Sequence, residues 1–104
     1  MSKTNSIKEV VVYRIKPNQT EVFLKKGLAE LSNCVAGFNG LIKHDTLVST
    51  KDDGVFIDLV EWESLEAADS AAAQLEAKTK AGELPLMNQT FERVEFFDHF
   101  KALL

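Results

Sequence analysis

Apolar and polar positions along this chain follow two different periods, and the switches between them divide it into six segments. Ile7 to Ile15 is β-branched and aromatic through Val10-Val11-Val12-Tyr13, with Glu9 and Arg14 at its margins, which predicts a strand ended by Pro17. Asn18 followed by Glu21 has the N-cap and N3 pattern of a capping box, so a helix is expected to begin there. Leu24, Leu28, Leu31, Val35 and Phe38 then recur at steps of four and three, one apolar stripe of an amphipathic helix with Lys25, Lys26 and Glu30 outside it and Gly37 as its stop. Leu41 to Thr50 returns to an extended pattern, Lys51-Asp52-Asp53-Gly54 is a hairpin signal, and Val55 to Glu63 is the third strand. Ser64 can cap a second helix running to about Ala81, with Leu65, Ala68, Ala72, Leu75 and Thr79 as its inner stripe. Gly82 stops it, Leu84-Pro85-Leu86-Met87 reads as an apolar connector, and Phe91 to Phe100 as a last strand.

The order β-α-β-β-α-β predicts a ferredoxin-like α+β fold: a four-stranded antiparallel sheet with both helices on one face. A single domain over residues 7–104 is expected, after a flexible N-terminal tail of residues 1–6. Neighbouring strand residues point to opposite faces, so Val10-Val11-Val12, Leu59-Val60 and Phe96-Phe97 make both faces of the sheet apolar. Two helices cover one face only, and Lys101 to Leu104 are too few to hide the other. The simplest cover is the same face of a second copy, which predicts a homodimer through the open sheet face.

Composition narrows the partners. A net charge of −4 without a basic cluster disfavours nucleic acid and anionic membrane surfaces, both of which need cationic patches. The one cysteine, Cys34, excludes an intrachain disulfide and a zinc site of several thiolates, and fits a reducing compartment. No apolar run reaches membrane-spanning length and the first residues lack the apolar core of a signal peptide, so a cytoplasmic location is expected.

Few residues carry candidate chemistry. Asp58 interrupts an apolar run and shares a strand face with Trp62; a carboxylate there serves a functional site, points to a wet barrel end, or meets Lys43 or Arg14 in an ion pair. His44 and His99 are the side chains that titrate near neutrality, and either can serve as a general base; His44 joins Asp58 as a candidate catalytic residue, the alternative for each histidine being a structural hydrogen bond. Trp62 can stack on a planar substrate or bridge strand and helix in the core, and Tyr13 can orient a substrate oxygen or anchor an interface. With Phe56 and Ala72 they form the candidate substrate-binding set. Two isolated histidines give no metal-ligand spacing, Cys34 reads as a small buried apolar residue, and no phosphate loop is present. Neither a metal nor a cofactor is expected.

Tyr13-Arg14-Ile15-Lys16-Pro17 leaving the first strand and Glu61-Trp62-Glu63-Ser64-Leu65-Glu66-Ala67 entering the second helix, in a chain of this length and order, resemble the antibiotic biosynthesis monooxygenase domain family. The resemblance implies a dimeric α+β barrel with a cavity in each subunit between sheet and helices. Its members include cofactor-free oxygenases of polycyclic aromatic or quinol substrates and haem-degrading enzymes. Of the haem-degrading residues only Trp62 is matched: Ala72 stands where that branch has its histidine, and the first strand has no asparagine. Many relatives also carry an acid at the position of Val60. The resemblance thus implies a cofactor-independent monooxygenase acting on an aromatic or quinol, or else a non-catalytic dimer that binds a small apolar metabolite or a partner. An open cavity walled by Asp58 or a histidine favours the first; a space filled by side chains favours the second.

Overall fold

The structure, a computed structural model, describes residues 6–103. Of the tail expected over residues 1–6, Ser6 is buried and the rest lies outside the described residues. Four strands, β1 (Ile7–Ile15), β2 (Leu41–Val48), β3 (Val55–Trp62) and β4 (Phe91–Lys101), form one sheet in the order β2-β3-β1-β4 with every neighbouring pair antiparallel. The first helix, α1, is continuous through Thr20–Val22, a π-helical stretch Phe23–Gly27, and Leu28–Ala36; α2 is Leu65–Lys80 and a short α3 is Pro85–Thr90. This is the ferredoxin-like α+β fold read from the sequence, with one helix more.

The capping box does not form. Asn18 adopts a left-handed conformation with φ 68°, and Gln19 stands at the N-cap without a side-chain bond to the helix. The inner stripe of α1 is also rephased: Leu24 is 52% exposed, whereas Phe23, Gly27, Leu31 and Val35 are buried at uniform steps of four. A π-turn takes up more residues than an α-turn, so it rotates the residues before it relative to those after it. Gly27 belongs to this device, because a Cβ there would stand 3.0 Å from the ring of Phe23.

The expected connector is the helix α3. Pro85 suits its first turn, where a missing N–H costs nothing. Glu30 of α1, placed outside by the helical stripe, is half-buried and accepts hydrogen bonds from the backbone N–H groups of Leu86 (3.2 Å) and Met87 (2.8 Å). Those are orphan donors of a helix start, satisfied here across the fold.

In α2 the cap is local: Ser64 accepts from the Ala67 N–H at 3.1 Å. Ala68 and Ala71 are buried beneath it, Leu75 is half-buried, and Leu65 and Ala72 are exposed. Gly40, at φ +88°, lets the turn before β2 come close to α2; a Cβ would fall 2.6 Å from that of Ala67. Gly82, at φ +78°, closes the C-terminus as expected.

The core lies between the helices and one face of the sheet. One part gathers Leu31, Val35, Phe38, Val60, Trp62, Ala68 and Ala71; the other gathers Tyr13, Ile15, Phe23 and Phe56. In the second, Phe23 meets Phe56 edge-on at 4.9 Å and Tyr13 at 6.0 Å between ring centroids. Because Phe23 is fully buried, Phe23→Ala is expected to cost about 3–5 kcal/mol, read as a fall in the urea midpoint at unchanged slope. A loss under 1 kcal/mol would mean that the aromatic cluster does not hold α1.

Candidate active site

Alternation along β1 and β3 sends Glu9, Val11 and Tyr13, and Asp58, Val60 and Trp62, toward the helices. They floor a cavity of about 510 Å³ roofed by side chains such as Leu31, Leu75 and Met87. Ala72 lines it from α2, where its short side chain leaves space rather than filling it. Phe56 does not reach this cavity; it stacks behind Tyr13 with centroids 5.9 Å apart. Trp62 is both a core residue, 2% exposed, and part of the cavity wall.

The edge strands add their side chains through bulges. On β2, Leu41 pairs with Trp62 and Lys43 with Glu61, so Ile42 is the extra residue. That slip brings His44 opposite Val60 and Thr46 opposite Asp58, on the cavity side. On β4, Phe96 pairs with Val12 and Val94 with Tyr13, so Glu95 is extra, and both Phe97 and Val94 line the cavity.

Asp58 is the centre of the floor. Its Oδ1 accepts from the Tyr13 hydroxyl at 3.0 Å and the Thr46 hydroxyl at 2.8 Å, and its Oδ2 lies 3.5 Å from Nε2 of His44. These bonds supply what a buried carboxylate needs in place of water. The ion pairs that were its alternative go elsewhere: Lys43 to Asp45 at 3.5 Å, and Arg14 to Asp52 at 3.1 Å and Glu95 at 3.5 Å. Lys43 and Arg14 alternate onto the opposite face of the sheet, out of reach of Asp58.

Burial raises the phenol of Tyr13 well above its ordinary value, and the negative Asp58, to which it donates, raises it further. A group with a raised folded-state value contributes stability that is complete below its unfolded value, about pH 10 for tyrosine, and is lost as pH climbs beyond it. Tyr13 is the chain's one tyrosine, so absorbance at 295 nm reports it alone. The expected result is no phenolate in the folded protein near pH 10, with the signal rising only as the far-UV circular dichroism collapses. A smooth titration near pH 10 in the folded state would overturn the Tyr13–Asp58 contact.

A second carboxylate, Glu9, was read from the sequence only as a strand margin. Its Oε1 accepts from the Trp62 indole Nε1 at 3.2 Å and lies 3.0 Å from Nε2 of His99. Period-two alternation from Tyr13 through Val11 reaches Glu9, and from His44 it reaches Thr46; that is the signal by which both could have been found. Cys34 packs against the core away from this floor, and burial pushes its thiol up. Among the described residues, no three of His, Cys, Asp and Glu converge as a metal set, and no helix is long and apolar enough to cross a membrane.

Comparison with known proteins agrees with this fold. Residues 6–80 match the family model described as antibiotic biosynthesis monooxygenase. No curated protein matches the chain significantly. Among solved structures, a conserved protein from Methanosarcina mazei Go1 superposes with a TM-score of 0.72 at 16% identity, covering 97% of this chain and 96% of its own. PA3566 from Pseudomonas aeruginosa gives 0.71 at 12% identity, with 98% of each chain covered. SnoaB, a cofactor-independent oxygenase from Streptomyces nogalater, gives 0.67 at 18% identity, covering 96% of this chain and 95% of that one. At these identities the structures share the fold.

Proposed function

The chain belongs to the antibiotic biosynthesis monooxygenase family, and from that premise we propose that it is a cofactor-independent monooxygenase that oxidises an electron-rich aromatic or quinol in the cavity between sheet and helices. The observation that carries this reading is the placement of Asp58: a residue 7% exposed, with His44 beside it, at the wall of a largely apolar cavity. About 510 Å³ lies within the range of small-molecule sites, roughly 300–1,000 Å³. A cavity open in this way, with a possible base at its wall, favours catalysis over the non-catalytic alternative.

In this reading, the substrate ring lies against the apolar roof and Trp62, and its acidic hydroxyl or activated ring methylene points to Oδ2 of Asp58. Asp58 takes the proton and becomes neutral, the negative charge passes to the substrate, and His44, 3.5 Å from Oδ2, lies beside the transfer. Tyr13 and Thr46 keep their hydrogen bonds on Oδ1, so Oδ2 is the oxygen those bonds leave for the transfer. Proton removal makes the ring anion the electron donor to dioxygen. For a ring methylene the balance is one dioxygen consumed, a carbonyl formed at that carbon, and one water released carrying the carbon's two hydrogens and the second oxygen atom. Proton transfer by a placed base is worth about 10²–10⁴ in rate.

The reading includes a homodimer. The face of the sheet away from the helices carries Leu47, Leu59, Phe96 and Phe100, each between 38% and 50% exposed, together with Val10, Val12 and Ile57. That apolar patch, which shares the face with Lys43 and Arg14, fits the same patch of a second copy. An oxygen electrode with an anthrone or naphthoquinol tests the activity: uptake above the spontaneous rate is expected, with one dioxygen consumed per anthraquinone or hydroxynaphthoquinone formed, one oxygen atom in the product and the other in water. No uptake over that rate with either compound would overturn the enzymatic reading.

A further inference from the structure

The floor of the cavity carries two carboxylates, and the oxidation proposed above uses only Asp58. Glu9 stands two residues before Val11 on β1, and Val11 is the cross-strand partner of Asp58 on β3. At about 5 Å between strands and about 3.3 Å per residue, the two Cα atoms are about 8 Å apart on the same face of the sheet. Both side chains are largely buried, Glu9 at 12% exposed and Asp58 at 10%, and both line the cavity.

Each carboxylate is also held from behind in the same manner. Asp58 has the hydroxyls of Tyr13 and Thr46 on Oδ1. Glu9 has the indole of Trp62 and the imidazole of His99 on Oε1, which leaves Oε2 outside both contacts. With Glu9 ionised, Nε2 of His99 carries the proton of that bond. Holding an indole N–H needs only a neutral amide acceptor, so the charge on Glu9 exceeds what Trp62 requires. The remaining charged groups on the cavity wall, Glu76 and Lys80, pair with each other at 3.2 Å. Among the described residues, the floor thus presents hydrogen-bond acceptors and no unpaired lysine or arginine to receive an anionic ligand.

We propose that Glu9 is a specificity-determining residue that forms a second accepting pole of the cavity, so that the site selects an aromatic with two hydrogen-bond-donating groups on opposite edges, a dihydroxyarene, over its monohydroxy counterpart. One hydroxyl meets Asp58 and the other meets Oε2 of Glu9; His99 is the positioning residue that fixes Glu9, and the flat body of the ring lies between the two poles. The inference rests on the cavity being an aromatic-binding site and adds the residue by which it would tell a quinol from its monohydroxy counterpart.

The test is calorimetric titration of the full chain, without oxygen, with 1,4-dihydroxynaphthalene and with its monomethyl ether. A hydrogen bond to an ionised acceptor predicts roughly tenfold or more tighter binding of the diol by the native protein. In Glu9→Gln, which keeps an acceptor for Trp62 but removes the charge, that ratio is expected to fall below about threefold. The ratio cancels any general loss of affinity, and the emission of the chain's one tryptophan checks that the indole site persists. Equal affinity of the two compounds for the native protein, or an unchanged ratio in Glu9→Gln, would overturn the role of Glu9 while leaving the aromatic cavity standing. Binding of neither compound would overturn the aromatic cavity and this inference with it.

Discussion

Asp58→Asn is expected to lower oxygen consumption with an anthrone or quinol by about two to four orders of magnitude, with little change in circular dichroism or unfolding midpoint. Asparagine has the shape of aspartate and retains an oxygen for the Tyr13 and Thr46 hydroxyls, so the floor of the cavity persists. What disappears is the base. In the native protein His44 is a neighbour of the base, its Nε2 3.5 Å from Oδ2 of Asp58 and 3.5 Å from the Thr46 hydroxyl, rather than the group that takes the proton. His44→Ala should therefore lower the rate less, by about tenfold, in the range of a lost charge-assisted contact. Unchanged turnover in Asp58→Ala combined with His44→Ala would remove both from the chemistry. A loss of activity accompanied by unfolding would instead place Asp58 among the structural groups, which is why the isosteric variant comes first.

Sedimentation at micromolar concentration should give a single species of twice the chain mass, and Leu59→Glu with Phe96→Glu should convert it to one of the chain mass. Both residues lie on the sheet face that the helices leave open, beside Ile57 and Val12 on the two central strands. An isologous interface repeats each substitution on both subunits, so the two changes place four carboxylates where apolar side chains would meet. Desolvating and opposing like charges costs several kcal/mol, so the dissociation constant is expected to rise by about three orders of magnitude or more. The cavity lies on the other side of the sheet, so ligand titration of the dissociated variant reads the two faces separately. A native protein that sediments as a single chain would sink the dimer.

Much of the framework was legible because it is set locally. The β-branched run of β1, the Asp52-Asp53-Gly54 turn, the Ser64 cap and the Gly82 stop each depend on backbone preferences within a few residues. The misread features have partners far along the chain. Glu30 reaches 57 residues to cap α3, and without that partner the segment around Pro85 reads as a connector. Leu24 fits an ideal helical stripe, and only the π-turn that seats Phe23 against Tyr13 and Phe56 moves it outside.

The site divides in the same way. Period-two alternation by itself placed Asp58 on the face of Trp62, because both lie on one unbroken strand. It could not place His44. Counted from Leu41, which packs with Trp62 on the cavity side, plain alternation sends His44 to the opposite face; the extra residue Ile42 reverses it and brings imidazole and carboxylate together. The bulge at Glu95 does the same for Val94 and Phe97. The sequence alone therefore determined the order of elements, the apolar character of both sheet faces and the family. Tertiary structure decided which polar groups meet, because a one-residue slip in pairing costs little locally yet turns every following side chain to the other face.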